Sequence, residues 1–272
     1  MCPHCRAFIT TDDRVCPYCE TPVGQRAIDR RQPAALMGGL IPHARFTTTV
    51  LLLINAGLYL AMALYSSKSG HGGVMGLDGY TLLAFGGMYP PALHAGQWWR
   101  LITAGFLHGG IMHILMNSWV LFDLGAQTEE FFGTSRMLFI YFVATVGGFW
   151  ASSLFGHLSV GASAGIFGLI GAMIAFGVRE RSSYGAALKS FYIRWAMYGL
   201  VLGFIVPNID MAAHIGGLVA GFAGGYIAGT PRLVGNSEQV WKGIAALCVI
   251  LTAFAFLQMF LGLTRTAGQP GF

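Results

Sequence analysis

The sequence predicts an all-α polytopic membrane protein, and three observations carry that prediction. Of 272 residues, 55% are hydrophobic and only 10% charged, with a mean hydropathy of +0.61; soluble domains carry about 25% charged residues. The apolar residues fall into runs of bilayer-spanning length, about 20 residues each. Glycine is abundant, with 39 residues, as expected where transmembrane helices pack through small residues. The net charge of +5 and pI near 9.1 could suit nucleic acid. The basic residues are scattered through short loops, however, so orientation in a membrane explains them better.

The chain begins with a small cysteine module, residues 1–24. Cys2-Pro3-His4-Cys5 and Cys16-Pro17-Tyr18-Cys19 are two Cys-x-x-Cys knuckles ten residues apart. That spacing points to one tetrahedral site, each knuckle supplying two thiolates. Zinc is the expected metal and a rubredoxin-like iron the alternative, because four thiolates suit both. Two disulfides would need an oxidising compartment. A module this small needs its metal to fold, so its expected role is structural or docking. No secretory signal is expected, since the first 46 residues hold charges and cysteines without an apolar run. Residues 25–46 form a basic, proline-containing linker with Arg26, Arg30, Arg31 and Arg45.

Seven apolar spans follow, at about 47–65, 107–124, 137–155, 163–178, 191–206, 209–228 and 240–263. Six make a core over residues 47–230, and the seventh lies with the tail in 231–272. With a cytoplasmic N-terminus, thirteen of the 16 Lys and Arg lie inside, leaving only Lys68, Arg100 and Arg265 outside. That asymmetry sets the N-terminus inside and the C-terminus outside, as in a bacterial inner membrane, and keeps the cysteines in reducing surroundings. The connection 66–106, with Trp98-Trp99-Arg100, is too long for a turn and is expected to lie in the outer interface.

Polar side chains inside such spans are few and carry the function. The second span holds His113 and Asn117, with His108 just before them. The fourth opens on Gly161-Ala162-Ser163, and the sixth holds Asp210 and His214. Alternating helix directions place His113, Ser163 and His214 near the outer ends of their helices, roughly 5–10 Å below the boundary. A serine hydroxyl needs a neighbouring base to act as a nucleophile, most often histidine. His214 is the candidate base. Gly217 and Gly221 share its helical face, and Gly161, Gly165 and Gly168 flank Ser163, so two helices can approach closely. His113 and Asn117, four apart, are candidate oxyanion donors with the Ser163 backbone N–H. Asp210, one turn before His214, is a possible orienter at the water boundary. A Ser–His dyad with His214 stacked on Phe167 is the better reading.

These residues resemble the rhomboid family of intramembrane serine proteases over about residues 47–230. The resemblance rests on Trp99-Arg100, His113-x-x-x-Asn117, Gly161-x-Ser163 and Ala213-His214-x-x-Gly217-x-x-x-Gly221. Glu129, followed by Gly133, resembles the family's loop between helices two and three. Membership implies a rhomboid-like six-helix core and a Ser163–His214 dyad. It also implies an oxyanion site from His113, Asn117 and the Ser163 N–H, and cleavage of single-span membrane substrates near their outer ends. The seventh C-terminal helix makes this the six-plus-one form, and the cysteine module is an addition to it. Ala164 stands where the family pattern Gly-x-Ser-Gly has glycine. A transmembrane serine alone is usually back-bonded. Ser, two His and Asn at one depth, with matched glycines, favour catalysis. The alternative is a catalytically silent rhomboid-like protein that binds transmembrane segments, which would be expected to lack Ser163 or His214. A transporter would place charge and broken helices near the midplane, which is nearly charge-free here. Cys248 reads as an apolar filler.

Overall fold

The computed structural model describes residues 2, 4–5, 7–8, 15–22, 45–70, 73–231 and 237–267. They belong to two units, Met1–His43 and Ala44–Phe272. In the first, an antiparallel bridge joins Val15 to Pro22, and Cys2 and Cys16 are buried. Most of the basic linker lies outside the described residues.

The second unit is built of helices: α1 Phe46–Ser69, α2 Gly79–Ala84, α3 Pro90–His94, α4 Arg100–Thr103, α5 Ile111–Ser152, α6 Ser163–Arg179, α7 Ser183–Ile205, α8 Met211–Ala228 and α9 Ser237–Ala267. Among the described residues, isolated bridges are the only extended pairings. By length and composition, α1, α5, α8 and α9 are each apolar enough to cross a membrane, and α6 is apolar over a shorter span. α5 is not one rod. Gly133, at φ 73° and ψ 160°, takes a left-handed conformation that costs glycine little, and there the helix breaks into arms 111–132 and 134–152. A Cβ on Gly161 would meet His113, and one on Gly148 would meet Ala164, whereas Gly133 lies at Pro231. The arms therefore fold back on each other. The second and third expected spans are thus joined by one residue, and Glu129 sits on a helix where the sequence suggested a loop. α7 begins eight residues before the expected 191, because the Ser182 side chain caps it by accepting from Gly185 N–H at 3.2 Å.

Helices in lipid gain little from hydrophobic burial against one another and rely on close packing instead. Here the contact is backbone on backbone. Ala164, Gly168 and Ala172 of α6 face Gly217, Gly221 and Gly225 of α8 in that order, so the two helices run parallel. The second arm of α5 lies antiparallel to both: Ala144 meets Gly168, Gly147 meets Ala220, and Ala151 meets Gly216. α7 leans on this trio mainly through α6. The larger apolar side chains, among them Leu121, Phe132, Ile140, Leu169 and Met173, fill the space between the α5 arms and α6.

The two ends of the bundle differ chemically. At the end marked by Gly133, the buried Glu129 carboxylate accepts from Thr47 N–H at 3.0 Å, Thr47 Oγ1 at 2.7 Å, Thr48 N–H at 3.3 Å and Thr134 Oγ1 at 2.8 Å. A carboxylate at a helix N-terminus matches both the free N–H groups and the dipole, so Glu129 anchors α1. Arg136 makes a two-pronged pair with Glu238, 2.8 Å on each prong, and donates to the Ala228 carbonyl at 3.2 Å. It ties together α5, α8 and α9. At the other end, residues 73–106 are folded around the short helices α2, α3 and α4. Arg100 is buried and donates to Gln97 Oε1 at 2.7 Å and to the carbonyls of Leu83 at 2.8 Å and Gly87 at 2.7 Å. One guanidinium, with donors in a fixed fork, thereby orders three turns. Asp78 caps α2, accepting from Thr81 N–H at 2.8 Å. Trp98 stacks on Phe254 of α9, with centroids 6.0 Å apart.

Candidate active site

The site lies at the end where α6, α8 and the first arm of α5 begin. His113 is the third residue of α5, Ser163 the first of α6 and His214 the fourth of α8. All three therefore lie within about 5 Å of a helix start, given a rise of 1.5 Å per residue. The approach to α6 is pinned from two sides. Met88 and Ser159 exchange backbone hydrogen bonds of 2.9 Å, and Gly161 N–H donates to the Ala104 carbonyl at 2.9 Å.

Gly161 is the hinge of the arrangement. Its φ of +140° is rarely open to other residues, and a Cβ there would stand 2.8 Å from His113 Nε2 and 3.4 Å from Ser163 Oγ. The imidazole of His113 and the hydroxyl of Ser163 therefore converge on the space that the missing side chain leaves free. Gly109 N–H points at His113 Nδ1 at 3.4 Å, so the neutral ring carries its proton on Nε2, facing the site. Gly161→Ala is expected to push His113 aside and reduce activity by at least about tenfold, as a 1 Å misplacement can cost about 10^2-fold. Activity within twofold of wild type would refute this account of the turn.

As the first residue of α6, Ser163 has a backbone N–H without an intrahelical acceptor, which suits an oxyanion. Ala164 follows in ordinary helical conformation. Its methyl fits because Gly148 of α5 offers no side chain against it. His214 is buried and stacks on Phe167, with centroids 4.3 Å apart and planes inclined by 18°. Phe167 is backed in turn by α7, where Gly199 leaves it room. Among the described residues His214 Nδ1 has no hydrogen-bond partner, so the ring is held by packing. Gly217 and Gly221 put the His214 face of α8 directly on the α6 backbone. Asn117 is buried, and its Nδ2 donates to the His113 carbonyl at 2.9 Å, which spends one N–H on its own helix.

Asp210 does not orient His214. It caps α8, accepting from Ala213 N–H at 2.9 Å and from the Ser152 hydroxyl, and lies 3.4 Å from His157 Nε2. Burial pushes its carboxyl upward, but bonds from Ser152, Ser159 and the Ala213 N–H outweigh burial and hold it below the usual carboxylate range. Residues 108 and 152 were the ones sequence reasoning left unused. His108 is fully buried beside His113, with ring centroids 5.1 Å apart. Its closeness in sequence to His113 was the available signal.

In the other unit, the four cysteines come together. Their sulfurs lie within 4.8 Å of one another, with Cys2 to Cys19 and Cys5 to Cys16 both at 3.6 Å. A tetrahedron of sulfurs about 2.3 Å from a metal has edges of about 3.8 Å, whereas a disulfide needs about 2.05 Å. The cluster could hold a metal ion. The Thr21 side chain, 3.3 Å away, and its backbone hold the Cys19 thiol down at about 5.

A helical membrane bundle knit by glycine, with hydroxyl, imidazole and amide groups gathered at one end, defines the class. The chain belongs to the rhomboid family: the rhomboid domain profile matches residues 95–231. It is 35% identical to rhomboid protease GluP of Bacillus subtilis over 178 residues, 65% of this chain and 34% of that protein. It is 31% identical to YdcA of Bacillus subtilis over 178 residues, 64% of this chain and 84% of YdcA. Rhomboid-like protease 2 of Toxoplasma gondii shares 36% over 156 residues, 53% of each chain. The first curated relatives are longer proteins, of which this chain spans 34%, 40% and 51%.

Proposed function

We propose that the chain is an intramembrane serine endopeptidase that hydrolyses peptide bonds in or near the transmembrane segments of single-span and other membrane proteins. The observation that carries the reading is the meeting of Ser163 Oγ and His113 Nε2 at Gly161, with His214 on the adjoining turn of α8. His214 takes the Ser163 proton as Oγ attacks the scissile carbonyl. His113 Nε2–H, Asn117 Nδ2–H and the Ser163 N–H stabilise the oxyanion. His214 then protonates the leaving amine, and water hydrolyses the acyl-enzyme. Phe167 holds the base in place of a carboxylate, and Gly161, Gly217 and Gly221 supply the closeness. Relatives named as proteases support the activity. Residues 47–230 would carry the catalytic core, with the N-terminus cytoplasmic, the site opening outward and the last helix in 231–272.

The test is labelling of the full chain in detergent by a fluorophosphonate probe. Wild type is expected to label and Ser163→Ala to stay blank. Labelling that persists in Ser163→Ala would sink the dyad. A wild type that neither labels nor cleaves would point to the silent binder of transmembrane segments.

The four-cysteine module, residues 1–24, would hold one structural zinc through Cys2, Cys5, Cys16 and Cys19. Catalysis as drawn here requires no metal. Elemental analysis of the purified chain is expected to give about one zinc per chain, falling to background in Cys5→Ser/Cys16→Ser, while Ser163 labelling persists. Iron in place of zinc would correct the metal, and neither metal would refute the site.

A further inference from the structure

α1 and α9 both pack on the second arm of α5 and make almost no contact with each other. The cleft between them is a cavity of about 540 Å³. Its wall takes in Val50 and Ile54 of α1, Leu138 and Phe142 of α5, and Val249 and Ala253 of α9. Ile54, Val249 and Ala253 are exposed, so the cleft opens sideways, toward the bilayer. The wall is almost wholly apolar because its three threonines are bonded elsewhere. Thr47 Oγ1 donates to Glu129 at 2.7 Å, and Thr145 Oγ1 and Thr252 Oγ1 donate to the carbonyls of Tyr141 and Cys248, each at 2.8 Å. A polar ligand would lose more hydrogen bonds here than it gained. The cavity is also long and narrow. It follows α1 from Phe46 to Leu58, a rise of about 18 Å. A helix of that length and about 10 Å across occupies about 1,400 Å³, so a transmembrane segment does not fit inside, whereas a single hydrocarbon chain does. The end at Phe46 carries a cation. Lys242 lies seven residues before Val249 and eleven before Ala253, on the same face of α9. It is exposed and has no ion pair among the described residues. The far end meets the site. Phe106 closes it, edge-on to Tyr141 at 6.2 Å and to Phe256 at 5.4 Å. A Cβ on Gly165, two residues after Ser163, would meet the Tyr141 ring. Ala104, two residues before Phe106, holds the Gly161 N–H.

We propose that this cleft binds one acyl chain of an anionic phospholipid, with the headgroup at Lys242 and the chain end against Phe106. The hydrocarbon wall selects an apolar occupant, and the length and narrowness select a linear one. The lysine stands where α1 and α9 begin, the end fixed by the Thr47–Glu129 and Arg136–Glu238 contacts, and its flexible stem can reach a phosphate at the bilayer surface. The far wall sets the cleft apart from general contact with lipid. A chain seated there braces Phe106 and Tyr141, and these support the backbone on either side of Ser163. The bracing of Ser163, unlike the binding itself, rests on the Ser163–His214 reading.

Binding is read without activity, by native mass spectrometry of the full chain in detergent. With palmitoyl-oleoyl phosphatidylglycerol and phosphatidylcholine added in equal amounts, one lipid per chain is expected to be retained. Phosphatidylglycerol should be favoured about fivefold, the effect of one lysine beside an anionic headgroup. Lys242→Gln should erase that preference. Val249→Phe/Ala253→Phe fills the cleft from two exposed positions and should lose the lipid. Ile250→Phe, exposed on α9 outside the cleft, should keep it. Equal retention of the two lipids by wild type would overturn the inference, as would wild-type retention by the filled variant. Displacement of the lipid by a peptide bearing a transmembrane segment would give the cleft to substrate and overturn it too. For the bracing, fluorophosphonate labelling of Ser163 should rise at least about threefold when phosphatidylglycerol is added to wild type, with no response in the filled variant. Labelling that ignores a retained lipid would overturn the bracing. A wild type that never labels would reject the dyad, and lipid retention would still decide the cleft.

Discussion

Replacing His214 with alanine is expected to lower peptide cleavage by about 10^2–10^4-fold, the range assigned to a positioned general base. The corresponding barrier is about 2.7–5.5 kcal/mol. The structure makes the result informative because the proposed role of His214 as base can be separated from its packing. It faces the Ser163 end of α6, and it packs flat on Phe167, which is itself backed by α7 at Gly199. Alanine removes both roles. His214→Phe keeps an aromatic ring over Phe167 and removes only the nitrogens. The expected pattern is a thermal midpoint for His214→Phe near that of wild type, a lower midpoint for His214→Ala, and cleavage lost in both. If His214→Phe retained more than a tenth of wild-type cleavage, the base would have to be another residue.

The second large effect concerns folding. A methyl added at Gly221 would stand less than 3.0 Å from the backbone of Gly168. No side chain can rotate away to accept it, so the two helices must separate. Overpacking ordinarily costs about 1–3 kcal/mol because neighbours can shift. Here the contact runs over two turns, from Ala164–Gly217 to Ala172–Gly225, and Gly221→Ala should lie at the top of that range or above it. Gly221→Leu should not be recovered as a folded monodisperse protein in detergent. Gly243 in α9 is the control, because a Cβ there meets nothing within 4 Å. Gly243→Ala should be neutral or raise stability by about 0.5–1 kcal/mol through helix propensity. Equal thermal midpoints for the two alanine variants would refute the account of the α6–α8 contact.

Much of the site was legible before any coordinates, for identifiable reasons. Apolar runs announce helices, and polar residues are so scarce within them that Ser163, His113, Asn117 and His214 could be picked out individually. Glycines three and four residues apart, as at Gly217 and Gly221, mark a helix face built for close approach. The role of Asp210 was not legible, because one turn before His214 a carboxylate is as well placed to cap the helix as to orient the ring. The position of Ser152, on a helix distant in sequence, decided for the cap. Glu129, followed by Gly133, suggests a loop only through its resemblance to the family's pattern. Its real partners, Thr47 and Thr48, are some eighty residues away. Ala164 in place of glycine was an irregularity in the pattern until Gly148 supplied the space for its methyl.

By itself the sequence determined that this is a helical membrane protein, that its family is rhomboid, and which side chains are candidates for its chemistry. These are local properties of hydropathy, spacing and motif. The tertiary structure decided the rest. It set the direction in which α5 folds back at Gly133, the order that Arg100 imposes on the turns at Leu83, Gly87 and Gln97, and the meeting of His113 with Ser163 across Gly161. Each of these depends on contacts between segments far apart in the chain, where one absent Cβ or one buried donor settles the geometry, and no residue pattern along a single helix encodes it.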